Sequence, residues 1–367
     1  MQITSARVHP LRIPFTDGSS GVGLMPTAWT HLNVALLRLE TSDGLVGWGE
    51  GFCYAGLATL VNAIEEMVLP HVVNQQIESV TQFNATLQQK LHLHGRYGIT
   101  QFAMSAVDIA LWDLQAKQQE KSLATMLAAQ SQGVQRTRLP AYASLVRYGD
   151  PELVSKYTAK AVSEGYQTIK LHEITADNIR AGRTAGPLPI RLITDINCNW
   201  NDQDALALMP VMKELDLYWV EEPLYPPDDE HRLQALQNEY GVSIASGENA
   251  CTSVEFKRFI DQIDFVQPSV TKVGGITEFL KICDLAREQG KRVMPHSPYF
   301  GPGYHATVQM MAAREECELF EHLYIEAEAY PDPTIPLPLH GQVHVPDKPG
   351  IGFEPDPDVI ARYSVDV

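Results

Sequence analysis

Three acidic residues each follow a short apolar run, at nearly even spacing. Asp195 ends Leu-Ile-Thr-Asp, Glu221 ends Tyr-Trp-Val-Glu and Glu248 ends Ile-Ala-Ser-Gly-Glu, and they lie 26 and 27 residues apart. One strand, one helix and their loops take about that many residues in a (β/α)8 barrel of roughly 250 residues. Each acid alone could be a solvated loop residue or an ion-pair partner. Together they would meet at one barrel mouth, where an all-oxygen set suits Mg²⁺.

Basic residues accompany the acids at neighbouring strand ends. In Thr-Ile-Lys-Leu-His the polar and apolar residues alternate, so Lys170 and His172 share one face of a strand. A lysine that points into a barrel is costly unless carboxylates surround it. The same alternation places Asn197 beside Asp195. We therefore expect Lys170, His172 and Asn197 at the same mouth as the acids.

Two further polar residues end the last two candidate strands. His296 follows Val-Met-Pro and precedes the rigid, aromatic loop Ser-Pro-Tyr-Phe-Gly-Pro-Gly. A lone histidine is often structural, but here it would face the acids across the barrel, where a base that titrates near neutral pH is useful. Glu321 in Leu-Phe-Glu-His-Leu would either bind the substrate or pair with a nearby lysine. Both interpretations of Glu321 stay open.

Repeated strand and helix patterns position these side chains. The candidate strands end near Ser144, His172, Asn197, Glu222, Glu248, Ser269, His296 and Glu321. Helical patterns lie between them, for example at Pro151–Ser163, Asp204–Leu215 and Gly275–Gln289. Eight strands in regular alternation with helices favour a closed α/β barrel over an open sheet. There is neither a dinucleotide-binding glycine fingerprint after the first strand nor a P-loop.

The residues before the barrel have a different pattern. Residues 3–14 alternate as an edge strand does, a Gly-rich connection spans 15–30, and Asn33–Glu50 is typical of a β-hairpin that turns at Asp43-Gly44. Helices are predicted at Ala58–Val73, Val80–His94 and Gln101–Ala116. We therefore divide the chain into an α+β unit (1–125), the barrel (126–330) and a Pro-rich tail (331–367) that wraps a surface.

Composition excludes several classes of function. A formal charge of −17 argues against nucleic acid as a partner. The five cysteines form no Cys-x-x-Cys pair, which indicates a reducing compartment. The sequence has neither a signal-peptide pattern at its start nor an apolar stretch that could span a bilayer. We expect a cytoplasmic protein that binds a small-molecule carboxylate and no membrane.

The predicted mouth has the groups needed to remove a proton α to a carboxylate. A Mg²⁺ ion that binds the substrate carboxylate stabilises the enediolate that forms, and lysine and histidine groups on opposite faces move the protons. The outcome could be racemisation, β-elimination or cycloisomerisation. The three acids do not choose among these reactions.

Motifs along the whole chain resemble those of the mandelate racemase / muconate lactonizing enzyme family of the enolase superfamily. They are Asp43–Glu50, Ala106–Lys117, Lys170-x-His172, Asp195-x-Asn197, Glu221-Glu222-Pro223, Gly247-Glu248-Asn249, Gln267–Gly275, His296 and Pro346–Gly352. The resemblance implies a modified TIM barrel of the (β/α)7β type, with an α+β capping domain that the C-terminal tail completes.

The resemblance also implies a ligand set and an assembly. Asp195, Glu221 and Glu248 would hold one Mg²⁺ per subunit, with Mn²⁺ as a substitute, and the chain would form a homodimer or an octamer. Capping-domain loops near 15–30 and 51–56 would set substrate specificity. Candidates for the pocket wall are Trp29, Tyr54, Tyr142, Arg147, Asn197, Ser269 and Tyr299.

Two positions depart from the family pattern. His172 stands where a second lysine is usual and would inherit its acid/base role, while Lys170 would polarise the substrate carboxylate or hold His172. Ser269 stands where an aspartate or a lysine is found. Serine cannot remove the proton unaided, so the lysine base of the muconate-type members is missing. Because the aspartate is missing as well, His296 would act without its usual carboxylate partner. Ser269 or Gln267 would hydrogen-bond it instead and leave its pKa lower.

These departures favour dehydration of an acid sugar or a related hydroxy acid to a 2-keto-3-deoxy acid. His172 would take the α-proton, and His296 would protonate the leaving hydroxyl. The alternatives within the family are a racemase or epimerase and a lactone or anhydrosugar cycloisomerase. An alternative of another class is an inactive member that binds a metabolite or regulates.

Overall fold

The computed structural model describes residues 1–19, 29–131, 133 and 135–367. Residues 20–28, in the predicted Gly-rich connection, lie outside the described residues. The strands are β1 (Ile3–Thr16), β2 (His31–Thr41), β3 (Val46–Gly51), β4 (Arg138–Ser144), β5 (Thr168–Leu171), β6 (Arg191–Asp195), β7 (Leu217–Glu221), β8 (Ile244–Ser246), β9 (Phe265–Val266), β10 (Arg292–Val293), β11 (Phe320–Leu323), β12 (Glu326–Ala327) and β13 (Gln342–His344). The α-helices are α1 (Leu57–Asn62), α2 (Val80–Lys90), α3 (Ile99–Gln118), α4 (Leu123–Ser131), α5 (Pro151–Ser163), α6 (Ala176–Ala185), α7 (Asp202–Glu214), α8 (Glu230–Tyr240), α9 (Thr252–Phe259), α10 (Ile276–Glu288), α11 (Pro302–Ala313) and α12 (Pro357–Tyr363).

The N-terminal unit is an antiparallel sheet in the order β12-β1-β2-β3, packed against α3. The predicted hairpin is present as β2 and β3. A Cβ added at Gly49 would lie 1.8 Å from the Ala106 carbonyl oxygen, so this glycine permits the close approach of sheet and helix.

The predicted helix Ala58–Val73 is less regular than the sequence pattern indicates. An α-helical start, α1, passes into a π-helical turn (Ala63–Val68) and a 3-10 turn (Leu69–His71). Pro70 explains the change, because a proline has no N–H to donate to the preceding turn and its ring crowds the carbonyl four residues earlier.

The barrel consists of eight parallel strands that alternate with seven helices, α5 to α11. The strand order is β10-β9-β8-β7-β6-β5-β4-β11. The sheet closes because Val293 N donates to Glu316 O (2.8 Å) and Glu318 N donates to Val293 O (3.0 Å). This (β/α)7β architecture with an antiparallel N-terminal unit confirms the predicted fold class, and its strand ends lie close to those predicted. Within the described residues, no helix has both the length and the apolar composition of a membrane span.

The C-terminal segment runs from the barrel to the N-terminal unit. β13 pairs with the start of β4. Further along the segment, Gly350 O accepts a hydrogen bond from Leu123 N (2.7 Å), and Ile351 N donates one to Asp113 Oδ1 (2.9 Å). Val365 N then donates to Pro10 O on the outer edge of β1 (3.0 Å). The tail therefore covers part of a strand edge that β2 leaves free.

Buried carboxyl groups join the N-terminal unit to the first turns of barrel helices. Glu50, at the end of β3, accepts a hydrogen bond from Gly303 N in α11 (2.9 Å). Asp108, in α3, accepts one from Thr277 N in α10 (2.9 Å). Burial raises the pKa of each carboxyl group to about 7. Both groups therefore hold a proton more tightly when the chain is folded.

Glu50→Gln is expected to change how stability depends on pH. Burial raises the Glu50 pKa from 4.5 to about 7 on folding, so wild-type stability falls as pH rises from about 4.5 through 7. The amide still offers an oxygen to Gly303 N but cannot ionise. Relative to the wild type, the variant should gain up to about 3 kcal/mol across this window. Urea unfolding at stepped pH measures this, and parallel curves for the two proteins would refute it.

Candidate active site

The three carboxylates predicted from their spacing meet at the carboxyl ends of adjacent barrel strands. Asp195 ends β6 and Glu221 ends β7, and the two residues are paired in register. Glu248 follows β8 by two residues. Oxygen atoms of all three lie within 4.8 Å of one another. Asp195 and Glu221 are fully buried, whereas Glu248 is partly open to the mouth.

The chemistry of this donor set fits a hard divalent cation. Two oxygens bound to one Mg²⁺ at about 2.1 Å are at most about 4.2 Å apart, so the observed cluster needs only a small contraction. Asn197 N donates to Asp195 Oδ1 (2.8 Å) and Trp219 Nε1 donates to Glu221 Oε2 (3.0 Å). These bonds orient the two carboxylates. Burial, together with the Asp195 charge, raises the pKa of Glu221, so a cation here would relieve a real repulsion.

Lys170 lies directly beneath the acids. Its Nζ is 2.8 Å from Glu221 Oε1, 2.8 Å from Glu321 Oε1 and 3.3 Å from Asp195 Oδ2. Burial opposes the charged form, but Glu221 and Glu321 outweigh it and hold the Lys170 pKa well above its ordinary value. The ammonium group is therefore a fixed positive charge in the site.

Glu321 was predicted either to bind the substrate or to pair with a lysine, and the structure shows the pair with the lysine. Besides its ion pair with Lys170, it accepts hydrogen bonds from Ser144 Oγ and Ser297 N (2.9 Å each). These contacts account for both carboxylate oxygens. In this structure Glu321 is the partner of the lysine.

His172 is held in one tautomer. Its Nδ1 contacts the Leu145 backbone carbonyl, so Nδ1 carries the proton and the Nε2 of the neutral ring is an acceptor. Nε2 lies 3.4 Å from Asp195 Oδ2. In the described part of the chain no hydrogen bond joins Lys170 to His172. The Leu145 carbonyl orients the His172 ring, which was one of the two roles predicted for Lys170.

His296 lies on the other side of the carboxylate cluster. Its Nε2 is 3.3 Å from Glu248 Oε2, and its buried Nδ1 has no partner among the described residues. Burial is the main reason that the His296 pKa lies well below its ordinary value, and Lys272 and Lys170 add to this while Glu321 opposes it. Burial therefore favours the neutral form of this ring.

The predicted hydrogen bond from Ser269 or Gln267 to the His296 ring is not formed. Ser269 Oγ instead lies near Thr271 Oγ1 (3.3 Å) and Tyr299 OH (3.4 Å), and the Gln267 amide has no partner among the described residues. Tyr299 OH donates to the His296 carbonyl oxygen (2.9 Å). Tyr299 thus fixes the His296 backbone and Ser269 lies beside Tyr299, whereas the prediction placed both on the pocket wall.

The structure places Tyr142, which was predicted to line the pocket, inside the barrel. Its side chain is fully buried, and its ring lies edge-to-face with Trp219 at 6.0 Å, below Lys170 Nζ (5.8 Å from the ring centroid). Tyr142 precedes Ser144, the end of β4, by two residues and so points inward one layer deeper. It belongs to the barrel interior.

The N-terminal unit contributes an aromatic row that reaches His296. Ring centroids are 4.8 Å apart from Trp29 to Tyr54, 4.7 Å from Tyr54 to Phe52 and 6.2 Å from Phe52 to His296. Burial raises the pKa of Tyr54 well above its ordinary value, and Glu248 adds to this, so Tyr54 lies within electrostatic reach of the site. Loop 51–56 therefore reaches the mouth, while its role in substrate specificity stays a prediction.

Two residues near this row were missed from the sequence. Lys272 Nζ lies over the Phe52 ring (4.6 Å from the centroid) and donates to Asn249 Oδ1 (3.2 Å). Asn249 in turn donates to Glu222 Oε2 (2.6 Å). Lys272 could have been noticed as the cation of Gln267–Gly275, and Phe52 as the first aromatic residue after Glu50.

Comparisons with known proteins agree with this geometry. Residues 153–359 match the family model for enolase C-terminal domain-like proteins, and residues 20–128 match that for the mandelate racemase / muconate lactonizing enzyme N-terminal domain. An arabinonate dehydratase from Saccharolobus solfataricus is 26% identical over 359 residues, which cover 95% of each chain. A 3,6-anhydro-alpha-L-galactonate cycloisomerase from Streptomyces coelicolor is 28% identical over 370 residues, covering 97% of this chain and 96% of the relative.

A solved structure has the same fold throughout. The crystal structure of a racemase from Streptomyces coelicolor A3(2) with bound magnesium superposes with a TM-score of 0.86 at 24% identity, covering 99% of this chain and 100% of the other. The matching family models span most of this chain, from the N-terminal unit through the barrel. The chain therefore belongs to the mandelate racemase / muconate lactonizing enzyme family of the enolase superfamily, a family of enzymes.

Proposed function

We propose that this enzyme is a Mg²⁺-dependent hydro-lyase that removes water from an acid sugar or a related hydroxy acid and releases a 2-keto-3-deoxy acid. The observation that carries the proposal is the pair of imidazoles that flank the carboxylate cluster. His172 contacts Asp195 and His296 contacts Glu248. One such group can remove the proton while the other protonates the departing hydroxyl.

We assign one Mg²⁺ per subunit to Asp195, Glu221 and Glu248, with Mn²⁺ able to replace it. The support is their all-oxygen cluster and the magnesium bound in the racemase of the same fold. When bound, the ion would offset the negative charge that builds up on the substrate carboxylate as the α-proton leaves.

The residues of the chain then have distinct roles. His172 accepts the α-proton at Nε2, because Nδ1 donates to the Leu145 carbonyl and Nε2 is then the acceptor nitrogen of the neutral ring. His296 protonates the leaving hydroxyl, because a low pKa makes the protonated ring a strong acid, although fewer rings carry the proton. Lys170 stabilises charge on the substrate carboxylate, and Glu321 positions the Lys170 ammonium group. Asn197, Tyr54 and Trp29 border the substrate, while Ser269 supports His296 from behind.

The runner-up is a cycloisomerase, for which the same two faces would serve and which one relative exemplifies. A racemase or epimerase would also use them. An inactive, metabolite-binding member is the weakest candidate, because the cluster, Lys170 and both histidines are all assembled in one mouth. The dimeric or octameric assembly and the cytoplasmic location stay predictions.

Incubation with candidate acids in D2O separates these reactions. A panel of hydroxy acids and acid sugars is incubated with Mg²⁺, and keto acid is quantified alongside the NMR signal of the α-proton. Formation of a 2-keto acid with loss of water is the expected result. Deuterium exchange or inversion without keto acid would remove the dehydratase proposal in favour of an isomerase.

His296→Asn is expected to lower kcat by about 100- to 10,000-fold, the usual contribution of one acid/base group. Exchange of the α-proton in D2O should persist, because His172 is intact. Mg²⁺ affinity should also be retained, since Glu248 keeps its carboxylate. His231→Asn, at an exposed position of α8, is the matched control and should behave as the wild type. Loss of α-proton exchange together with dehydration would make His296 the base and reverse the two roles, and an unchanged kcat would remove His296 from the mechanism.

A further inference from the structure

Arg147 lies at the barrel mouth, on the His172 side of the carboxylate cluster. It follows β4, and its Nε donates to the His172 carbonyl oxygen (2.7 Å) while Nη2 donates to Asn197 Oδ1 (3.4 Å). The loop that carries it is anchored, because Tyr148 N donates to the buried carboxylate of Glu173 (2.7 Å). The guanidinium group is thus placed by two independent restraints.

Much of the hydrogen-bonding capacity of Arg147 is unused. A guanidinium group has five N–H donors in a fixed plane, and the two bonds above engage one on Nε and one on Nη2. None of its nitrogens is among the buried unpaired atoms of the described residues, so Nη1, which forms no hydrogen bond to a described residue, retains some exposed surface.

No carboxylate of the described residues compensates this charge at contact distance. Among the described residues, no carboxylate oxygen lies within 4.0 Å of the Arg147 guanidinium nitrogens, and Asp195 and Glu173 act on it only from further away. An arginine that is ordered, half-buried and unpaired beside a metal-type cluster is suited to bind an anion. Its planar fork matches a carboxylate better than it matches a single hydroxyl group.

We propose that Arg147 binds a second carboxylate of the substrate, and that the substrate class is therefore a dicarboxylic sugar acid. The inference rests on the proposed function, in which the Mg²⁺ ion assigned to Asp195, Glu221 and Glu248 would bind the first carboxylate of the substrate. The distal carboxylate accepts hydrogen bonds from the free Nη donors. Arg147 then determines specificity and takes no part in proton transfer.

Matched pairs of aldaric and aldonic acids test the proposal, because the two acids of a pair differ only in the terminal group. Dissociation constants or KM values are measured for each pair, with Mg²⁺, in the wild type, Arg147→Gln and Arg147→Lys. For the preferred configuration, the wild type should bind the aldaric acid about 10- to 100-fold more tightly, the factor for a hydrogen bond to a charged group. Arg147→Gln should abolish this preference, and Arg147→Lys should keep part of it.

The controls separate the possible failures. If Arg147 merely supports His172 and Asn197, Arg147→Gln will weaken both acids of a pair equally, and the inference is overturned. A wild type that prefers aldonic acids overturns it too, while leaving the proposed dehydration intact. If the wild type binds no acid of either kind, the proposed function itself fails. Circular dichroism shows whether Arg147→Gln is folded, and Arg147→Lys carries the test if it is not.

Discussion

Lys170→Met is expected to lower the free energy of unfolding by about 3–5 kcal/mol in the absence of Mg²⁺. The ammonium group is fully buried and contacts Asp195, Glu221 and Glu321. Removing it leaves these carboxylates buried and uncompensated, which costs more than the ion pairs contribute. Turnover should fall by about 100- to 1,000-fold, as when one preorganised donor is lost from a polar active site. Urea unfolding and steady-state kinetics measure the two effects.

Mg²⁺ should restore part of the stability that Lys170→Met loses. A cation that binds the folded chain stabilises it by mass action, and here it would replace the missing positive charge. The matched control is Lys160→Met, because Lys160 pairs with Glu326 (3.2 Å) at the exposed surface. That variant should lose at most about 1 kcal/mol, independently of Mg²⁺. Equal losses in the two variants would mean that the buried cluster is not what Lys170 stabilises.

Glu221→Gln is expected to weaken Mg²⁺ binding by more than about 100-fold. Loss of a residue that merely hydrogen-bonds to a metal ligand costs about 10- to 100-fold, and loss of a ligand itself should cost more. Activity should fall by about a thousandfold or more, since the ion supplies several kcal/mol to charge stabilisation. The amide has nearly the shape of the carboxylate and keeps an oxygen for Trp219 Nε1. Titration calorimetry with Mg²⁺ and kinetics at saturating Mg²⁺ measure these effects.

Glu214→Gln is the control for this variant, because Glu214 ends α7 and pairs with Arg180 at the surface (3.3 Å). It should bind Mg²⁺ and turn over as the wild type does. Full activity of Glu221→Gln would contradict the ligand role assigned to Glu221. Unchanged Mg²⁺ affinity with lost activity would move that role to a neighbouring carboxylate.

The sequence predicted the part of the site that depends on strand periodicity. Asp195 and Glu221 each end an apolar run, and their pairing in register follows from the parallel order of β6 and β7. Lys170 and His172 share a face for the same reason. A period of two and a repeat of about 26 residues were enough to place them at one mouth.

The remainder depended on side-chain packing between distant parts of the chain. Periodicity gives the face on which Tyr142 lies but not its depth, so it could not separate the barrel interior from the pocket wall. The Ser269 hydroxyl lies near those of Thr271 and Tyr299, and no sequence pattern encodes these contacts. Phe52 reaches His296 only because the N-terminal unit docks on the barrel.

The edge of β1 has a consequence for how the chain can be divided. The C-terminal tail covers that edge at Pro10, and β12 pairs with its end at Phe15 and Thr16. A fragment of residues 1–125 would lack both and would expose unpaired N–H and C=O groups, which are a template for strand addition by other chains. We expect such a fragment to self-associate. By covering this edge, the tail protects the N-terminal sheet from aggregation.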